Sequence, residues 1–287
     1  LYNTAPVKIE GGSEKEQFVK KVLELIRKCD WVHVFGKMYV GKTQALIRVT
    51  EKILDFVWIN VNEEDFIYID VNELELSESS ILIMDGIPNI ANTQILEKCV
   101  SIFEDCKQKK CKLLTCGYEN IEDYVKNYNI KVCSIELKGF NEKEVKEIMK
   151  RYVTDTDIFK TVAYSNFVDI CKDIPPVVMA VILYLKENNW KFDDKIILSI
   201  INKKTDSIEE RTKAAFLSCI SDETTRKLYY RILYVGKRVD KNLIPYIASV
   251  ENKIIDYDVK LQKLKNKWIY IENDNYCSSN LLAGFAE

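Results

Sequence analysis

The sequence predicts an α/β domain, a parallel sheet with helices on both faces, followed by a helical domain and a winged-helix domain. Three observations predict it. Short apolar runs alternate with helix-length stretches over the first half of the chain, the rhythm of strands buried on both faces. A glycine-rich octapeptide, residues 36–43, lies between such a run and an amphipathic stretch. Beyond Gly139 the pattern becomes helical, and near the end it closes with a hairpin. The boundaries that follow are 1–137, 138–204 and 205–287. A chain of 287 residues accommodates two domains or three small ones.

The elements follow in order. Glu14 to Cys29 puts Phe18, Val22, Leu25, Ile26 and Cys29 on one helical face. Trp31 to Phe35 is a buried strand, which places Trp31 in the core. Ala45, Leu46 and Val49 then fall at helical spacing. Further strands are read at 56–61, 81–85, 112–115 and 132–137, with helices at 92–108 and 119–128 between them. Trp58 lies in one of those strands and is likewise assigned to the core. Asn141 and Glu144 outline a capping box that opens the helical domain. The segment Asp173-Ile174-Pro175-Pro176 interrupts it, and Val177 to Leu185, too short to span a membrane, reads as a buried helix. Residues 190–207 are polar with short apolar patches. Helices are expected at 222–234, 243–249 and 258–266, with a turn at Gly236, then strands 268–271 and 275–277 turning at 272–274.

Composition excludes several functions. The apolar share of 47% supports packed cores. Lysine plus arginine (42) nearly balances aspartate plus glutamate (44), so no basic field advertises nucleic acid. The nine cysteines include no C-x-x-C pair, and His33, the only histidine, falls inside a strand. Zinc is not expected, and the cysteines read as thiols filling apolar positions in a reducing cytoplasm. The chain shows no signal peptide and starts at Leu1, so it is expected to be a piece of a longer protein.

The octapeptide carries the chemistry. Gly36-Lys37-Met38-Tyr39-Val40-Gly41-Lys42-Thr43 is G-x-x-x-x-G-K-T, the phosphate-binding loop (P-loop) of P-loop nucleotide hydrolases. Glycines let successive N–H groups wrap an anion, and the helix N-terminus, with Gln44 on its first turn, adds partial positive charge. Lys42 is assigned to the β- and γ-phosphates and the Thr43 hydroxyl to Mg²⁺. Ile81-Leu82-Ile83-Met84-Asp85 supplies the second half, an acid at the carboxyl end of a buried strand. Asp85 is assigned, with Thr43, to the metal. The next residue is Gly86, where hydrolytic relatives usually carry a second acid; without it a loss of typically 10²–10⁴-fold is expected. Thr115 is the expected donor to a γ-phosphate and Cys116 a poor one. The site therefore reads as able to bind ATP or ADP with Mg²⁺ and slow to hydrolyse.

These motifs, in this order, resemble the STAND class of signal-transduction ATPases, of the NB-ARC type. Besides the two phosphate motifs, Lys112 to Thr115 resembles that family's sensor strand. Ile135 to Glu144 resembles the start of its helical domain. Asp173 to Ala180 resembles its G-x-P segment, with Asp173 for glycine, and Ser278 to Leu282 its Met-His-Asp segment. The resemblance implies that Pro175 packs near the adenine and that Ser279 stands where a histidine reads the β-phosphate of ADP, with Asn280 for the aspartate. Tyr39 replaces a frequent extra glycine. Val7 and Ile9 match the segment that lines the adenine pocket. The resemblance further implies a switch in immunity, cell death or regulation. ADP holds the domains closed; ATP releases the winged helix and permits homo-oligomerisation. The partners implied are an N-terminal effector and a C-terminal repeat sensor in the same protein.

Two rivals remain. A P-loop domain with a winged helix also describes origin-recognition AAA+ initiators, which bind DNA. Lys260, Lys263, Lys265 and Lys267 would then meet phosphates. Leu261 and Leu264 form a buried stripe, however, and lysines opposite it are the usual solvated coat. That segment holds no arginine for bidentate base contacts, and Glu272 and Asp274 would repel DNA. The other rival is a pseudo-ATPase scaffold, which Gly86 favours. Arg48 and Arg151 are assigned to surface salt bridges.

Overall fold

The computed structural model describes residues 13–37, 40–61, 66–153 and 156–172, positions 174, 175, 178, 181, 182, 185, 189, 190 and 220, then 222–236, 238–265, 269–272 and 274–278. The chain divides into two compact units, residues 1–148 and 149–287.

The first unit is built on five strands: β1 (Trp31–Phe35), β2 (Phe56–Asn60), β3 (Ile81–Asp85), β4 (Lys112–Gly117) and β5 (Val132–Glu136). They lie in the order β2-β3-β4-β1-β5, all parallel. This is the sheet of a P-loop NTPase α/β fold. With period-2 alternation, one face carries Val32, Val34, Ile81, Ile83, Leu114 and Cys116 and the other Trp31, Leu82, Met84 and Leu113. The first face packs on α1 (Ser13–Lys28) and α2 (Lys42–Thr50). The second packs on α3 (Thr93–Gln108) and on α4 (Glu122–Val125). Trp31 and Trp58 are both buried, as their strands require.

Local chemistry explains the helices. α1 has Glu14 and Glu16 in its first turn and Arg27 and Lys28 in its last, complementing the helix dipole. Asn92 caps α3 by accepting from the Gln94 N–H at 3.0 Å. α5 (Glu142–Lys150) opens on the expected capping box: the Glu144 N–H donates to Asn141 Oδ1 at 2.9 Å, and the Asn141 N–H donates to Glu144 Oε2 at 3.2 Å. Arg48 is paired with Glu16 at 2.5 Å. The helix that the pattern predicts at 119–128 is shorter, α-helical over Glu122–Val125 and 3₁₀ over Lys126–Tyr128. Asn120 Oδ1 accepts from the Glu122 N–H at 3.0 Å in a turn just before α4, and Asn129 ends the 3₁₀ turn in a left-handed conformation (φ 55°).

Cysteine usage needs a correction. Cys99, Cys106, Cys111, Cys116 and Cys277 are buried thiols outside any disulfide, as expected, but Cys29 and Cys133 form a disulfide. The end of α1 and the edge strand β5 bring their Cα atoms to 6.4 Å, within bonding range. They are 104 residues apart in sequence, so nothing in local spacing announced the pair.

In the second unit, α6 (Val162–Cys171) is capped by Thr161, whose hydroxyl accepts from the Tyr164 N–H at 3.1 Å. Pro175, Val178, Val181, Ile182 and Leu185 are buried helical positions on one face. Then come α7 (Glu223–Val235), β6 (Arg238–Asp240), α8 (Ile244–Ser249), α9 (Tyr257–Leu264), β7 (Ile269–Glu272) and β8 (Asn275–Ser278). The strands form an antiparallel sheet in the order β6-β8-β7. β6, three residues long, gave no sequence signal. Leu261 and Leu264 are buried beneath α9. Among the described residues no helix is long and apolar enough to cross a membrane.

Candidate functional site

β1 has β4 on one side and β5 on the other, so the loop that leaves it opens at the carboxyl edge of the sheet, where α/β folds bind ligands. That loop begins at Gly36. A Cβ there would lie 2.3 Å from the Leu137 carbonyl oxygen, so only glycine fits. Gly41 ends the loop at φ 96°, the left-handed N-cap of α2. Among the described residues no side chain caps α2, which leaves its first N–H groups open to an anion. Val40 is buried, Lys37 is exposed and Gln44 is half-buried. Met38 and Tyr39 lie outside the described residues, as do Val7, Ile9, Asp173, Ser279 and Asn280.

Lys42 and Asp85 are gathered at this edge. The Lys42 ammonium donates to the carbonyls of Gly36 (2.7 Å) and Lys37 (2.9 Å) and lies 4.5 Å from the Tyr118 ring centre. Burial pushes its pKa down, while Cys116 and Asp85 act in the other direction. Asp85 is held by two donors. The Cys116 thiol donates to Oδ1 at 2.7 Å, and the Thr43 hydroxyl donates as well. Burial raises the Asp85 pKa, and the Cys116 and Thr43 hydrogen bonds and the Lys42 charge counter it. Thr43 and Asp85, a hydroxyl and a carboxylate in contact, are oxygen donors of the kind that fit a hard divalent cation such as Mg²⁺. Its chemistry there would be to neutralise phosphate charge.

Thr115, the expected phosphate donor, faces away from the site, and Cys116 faces Asp85 instead. β3 puts Ile81, Ile83 and Asp85 on the α2 side, and β4 puts Leu114 and Cys116 there, so register sets Cys116 opposite Asp85. Thr115 lies on the far face. Its hydroxyl accepts from Trp31 Nε1 at 2.9 Å and lies 2.8 Å from His33 Nδ1. His33 Nε2 lies 2.9 Å from the Glu119 carbonyl, an obligate acceptor, so Nε2 carries the proton and Nδ1 accepts from Thr115. The Thr115 proton is therefore already engaged away from the phosphate site. Burial drops the His33 pKa to about 4, keeping the ring neutral. Strand parity in the sequence puts Thr115 and Cys116 on opposite faces, and the β3–β4 register of the fold sets Cys116 beside Asp85.

Gly86 has a conformational reason. Its φ is 94°, where a side chain is disfavoured, so an acid at this position meets backbone strain. Two cavities flank the P-loop. One, of about 120 Å³, is lined by His33, Ile87, Gly117 and Tyr118 beside Lys42. The other, of about 490 Å³, lies between α1 and the segment 135–144, whose Leu137 abuts Gly36.

No protein-family model matches the chain, and no curated protein matches it in sequence. Solved structures are similar to it in fold. A Walker-type ATPase of Pyrococcus abyssi is 16% identical, with 95% of each chain covered and a TM-score of 0.47. A RuvB variant of Thermotoga maritima is 17% identical, covering 96% of this chain and 95% of that one, with a TM-score of 0.43. The AMPPCP-bound DnaA of Aquifex aeolicus is 12% identical, covering 90% and 91%, with a TM-score of 0.45.

Proposed function

We propose that this chain is the nucleotide-dependent switch core of a larger STAND-type protein, binding ADP or ATP with Mg²⁺ and hydrolysing slowly. The observation that carries the nucleotide part is the meeting of Lys42, Thr43 and Asp85 at the uncapped N-terminus of α2. Phosphates laid in the loop would take over the Lys42 protons now given to the Gly36 and Lys37 carbonyls. Slow turnover is supported by Gly86, by the engaged Thr115 hydroxyl and by a thiol beside Asp85. Such a site holds nucleotide as a state marker rather than consuming it quickly.

The switch itself rests on the resemblance of the motifs. In this reading residues 1–137 bind nucleotide, 138–204 form the helical domain with Pro175, and 205–287 form a winged helix with Ser279. The order α7-β6-α8-α9-β7-β8, with a three-stranded antiparallel sheet, supports the winged helix. ADP would hold the parts closed in the cytoplasm and ATP would permit homo-oligomers, with effector and sensor domains elsewhere in the protein. The DNA-binding alternative is weakened at α9. Lys260 and Lys263 approach Asp222 at 3.5 and 3.9 Å, so these two lysines are partly neutralised.

Equilibrium binding of Mg²⁺–ATP and Mg²⁺–ADP tests the nucleotide part, and light scattering with each nucleotide tests assembly. Binding with growth in mass under ATP alone is expected. Binding without any change in mass would leave a nucleotide-holding scaffold. Salt-dependent retention of duplex DNA would favour the initiator-like reading.

A further inference from the structure

Cys29 and Cys133 stand apart from the other cysteines that the structure describes. Burial pushes the Cys99 and Cys106 thiol pKa values up to about 12 and raises those of Cys111 and Cys116 as well, so all four are poor sources of thiolate. The bonded pair lies at the margin of the sheet instead. Cys133 is half-buried on β5, the edge strand, and Cys29 is 9% exposed just past α1.

The bond ties that edge strand to a fixed support. Lys112 of β4 donates to the Ile26 and Cys29 carbonyls at 2.5 and 3.4 Å, which holds the end of α1 to the sheet with or without the bond. β5 has β1 on one side, and the disulfide is its covalent link to α1. Cys133, Ile135 and Leu137 alternate onto the face that α1 and α2 cover. Leu137 then backs the phosphate loop. Its N–H donates to the Phe35 carbonyl at 2.7 Å, and its own carbonyl oxygen would lie 2.3 Å from a Cβ on Gly36. One short run of strand, from Cys133 to Leu137, therefore links the disulfide to the packing of the loop's first glycine.

We propose that the Cys29–Cys133 bond is a redox switch on the phosphate site, made by oxidation and cut by a dithiol reductant. The proposal rests on the nucleotide reading above and adds a means of regulating it. A thiolate of the reductant attacks Sγ of Cys133, which belongs to the more exposed residue of the pair. The S–S bond breaks as the Cys29 sulfur leaves and takes a proton. The reductant's second thiol then attacks the mixed disulfide, closes its own disulfide and releases Cys133 as a thiol. The chain gains two electrons and two protons, and the dithiol loses them. With the bond cut, β5 keeps only non-covalent ties. Opening of the edge strand becomes more frequent, and Leu137 backs Gly36 for less of the time. The oxidised chain is thus the form that holds phosphates tightly.

The test compares the full chain oxidised with glutathione disulfide and the same chain reduced with dithiothreitol, both without denaturant. Alkylation and peptide mapping should find Cys29 and Cys133 protected in the first and labelled in the second. Calorimetry at a temperature where both forms are folded should show Mg²⁺–ATP affinity falling roughly tenfold on reduction and returning on reoxidation. The double variant Cys29→Ser, Cys133→Ser should bind like the reduced chain and ignore both reagents. Cleavage with no change in ATP affinity would overturn the switch and leave the phosphate site standing. So would a pair that never bonds, a bond that resists dithiothreitol in the folded chain, or a double variant that still responds to it. Failure of both forms to bind ATP would overturn the nucleotide reading and the switch together.

Discussion

The two faces of the parallel sheet are made from the same strands, yet their polar groups meet opposite fates. On the α2 side, Lys42, Thr43, Asp85 and Cys116 cluster at an edge with an uncapped helix N-terminus. On the α3 side, Trp31, Thr115 and His33 satisfy one another in a chain that ends on the Glu119 carbonyl. The first set holds donors that an incoming anion can claim. The second is closed, and its hydrogen bonds serve the core. Alternation along β1, β3 and β4 decides which strand residue joins which set. A residue's neighbours across the sheet, not its type, therefore separate a ligand site from a structural network.

The closed face is broken most strongly by acid. His33 titrates near 6.5 when unfolded and near 4 when folded. Between these values the unfolded chain binds more protons, so stability falls as pH drops from 6.5 to 4. The contribution present in full above pH 6.5 is about 3 kcal/mol. Denaturant titrations are expected to show the wild type losing about 3 kcal/mol more stability than His33→Gln as pH falls from 6.5 to 4. Parallel curves would place His33 in contact with water.

On the open face, Lys42→Ala is expected to lower Mg²⁺–ATP affinity roughly 100-fold, with unfolding midpoints little changed. Calorimetry with thermal melts separates the two quantities. Thr115→Val does the reverse. It strands Trp31 Nε1 and His33 Nδ1 in the core, costing about 2 kcal/mol of stability, and leaves ATP affinity as it was. A comparable loss of ATP affinity in this variant would show that Thr115 reaches the phosphates after all. The smallest effect is expected at Cys116→Ser, which keeps a donor to Asp85 and should change ATP affinity by no more than roughly threefold. Cys116→Ala, without the donor, sharpens the contrast, because its deficit should appear with Mg²⁺ and vanish in EDTA.

Much of this was legible in the sequence. The apolar runs ending in Phe35 and Asp85 marked β1 and β3, and the G-x-x-x-x-G-K-T spacing marked the loop between β1 and α2. Asn141 and Glu144 announced α5 by their spacing alone. The helix expected at 119–128 starts three residues later, because Asn120 turns the chain ahead of it, and tightens to 3₁₀ after Val125. The Cys29–Cys133 bond joins residues that only the folded sheet brings together. Glu144 was read as a helix cap, which it is.

The most direct measurement is the identity and amount of nucleotide released when the purified protein is heat-denatured, with Lys42→Ala alongside. Near-stoichiometric ADP from the wild type and none from the variant is the result expected of a resting switch closed on its phosphate loop. An empty wild type that also fails to take up added Mg²⁺–ATP would contradict it.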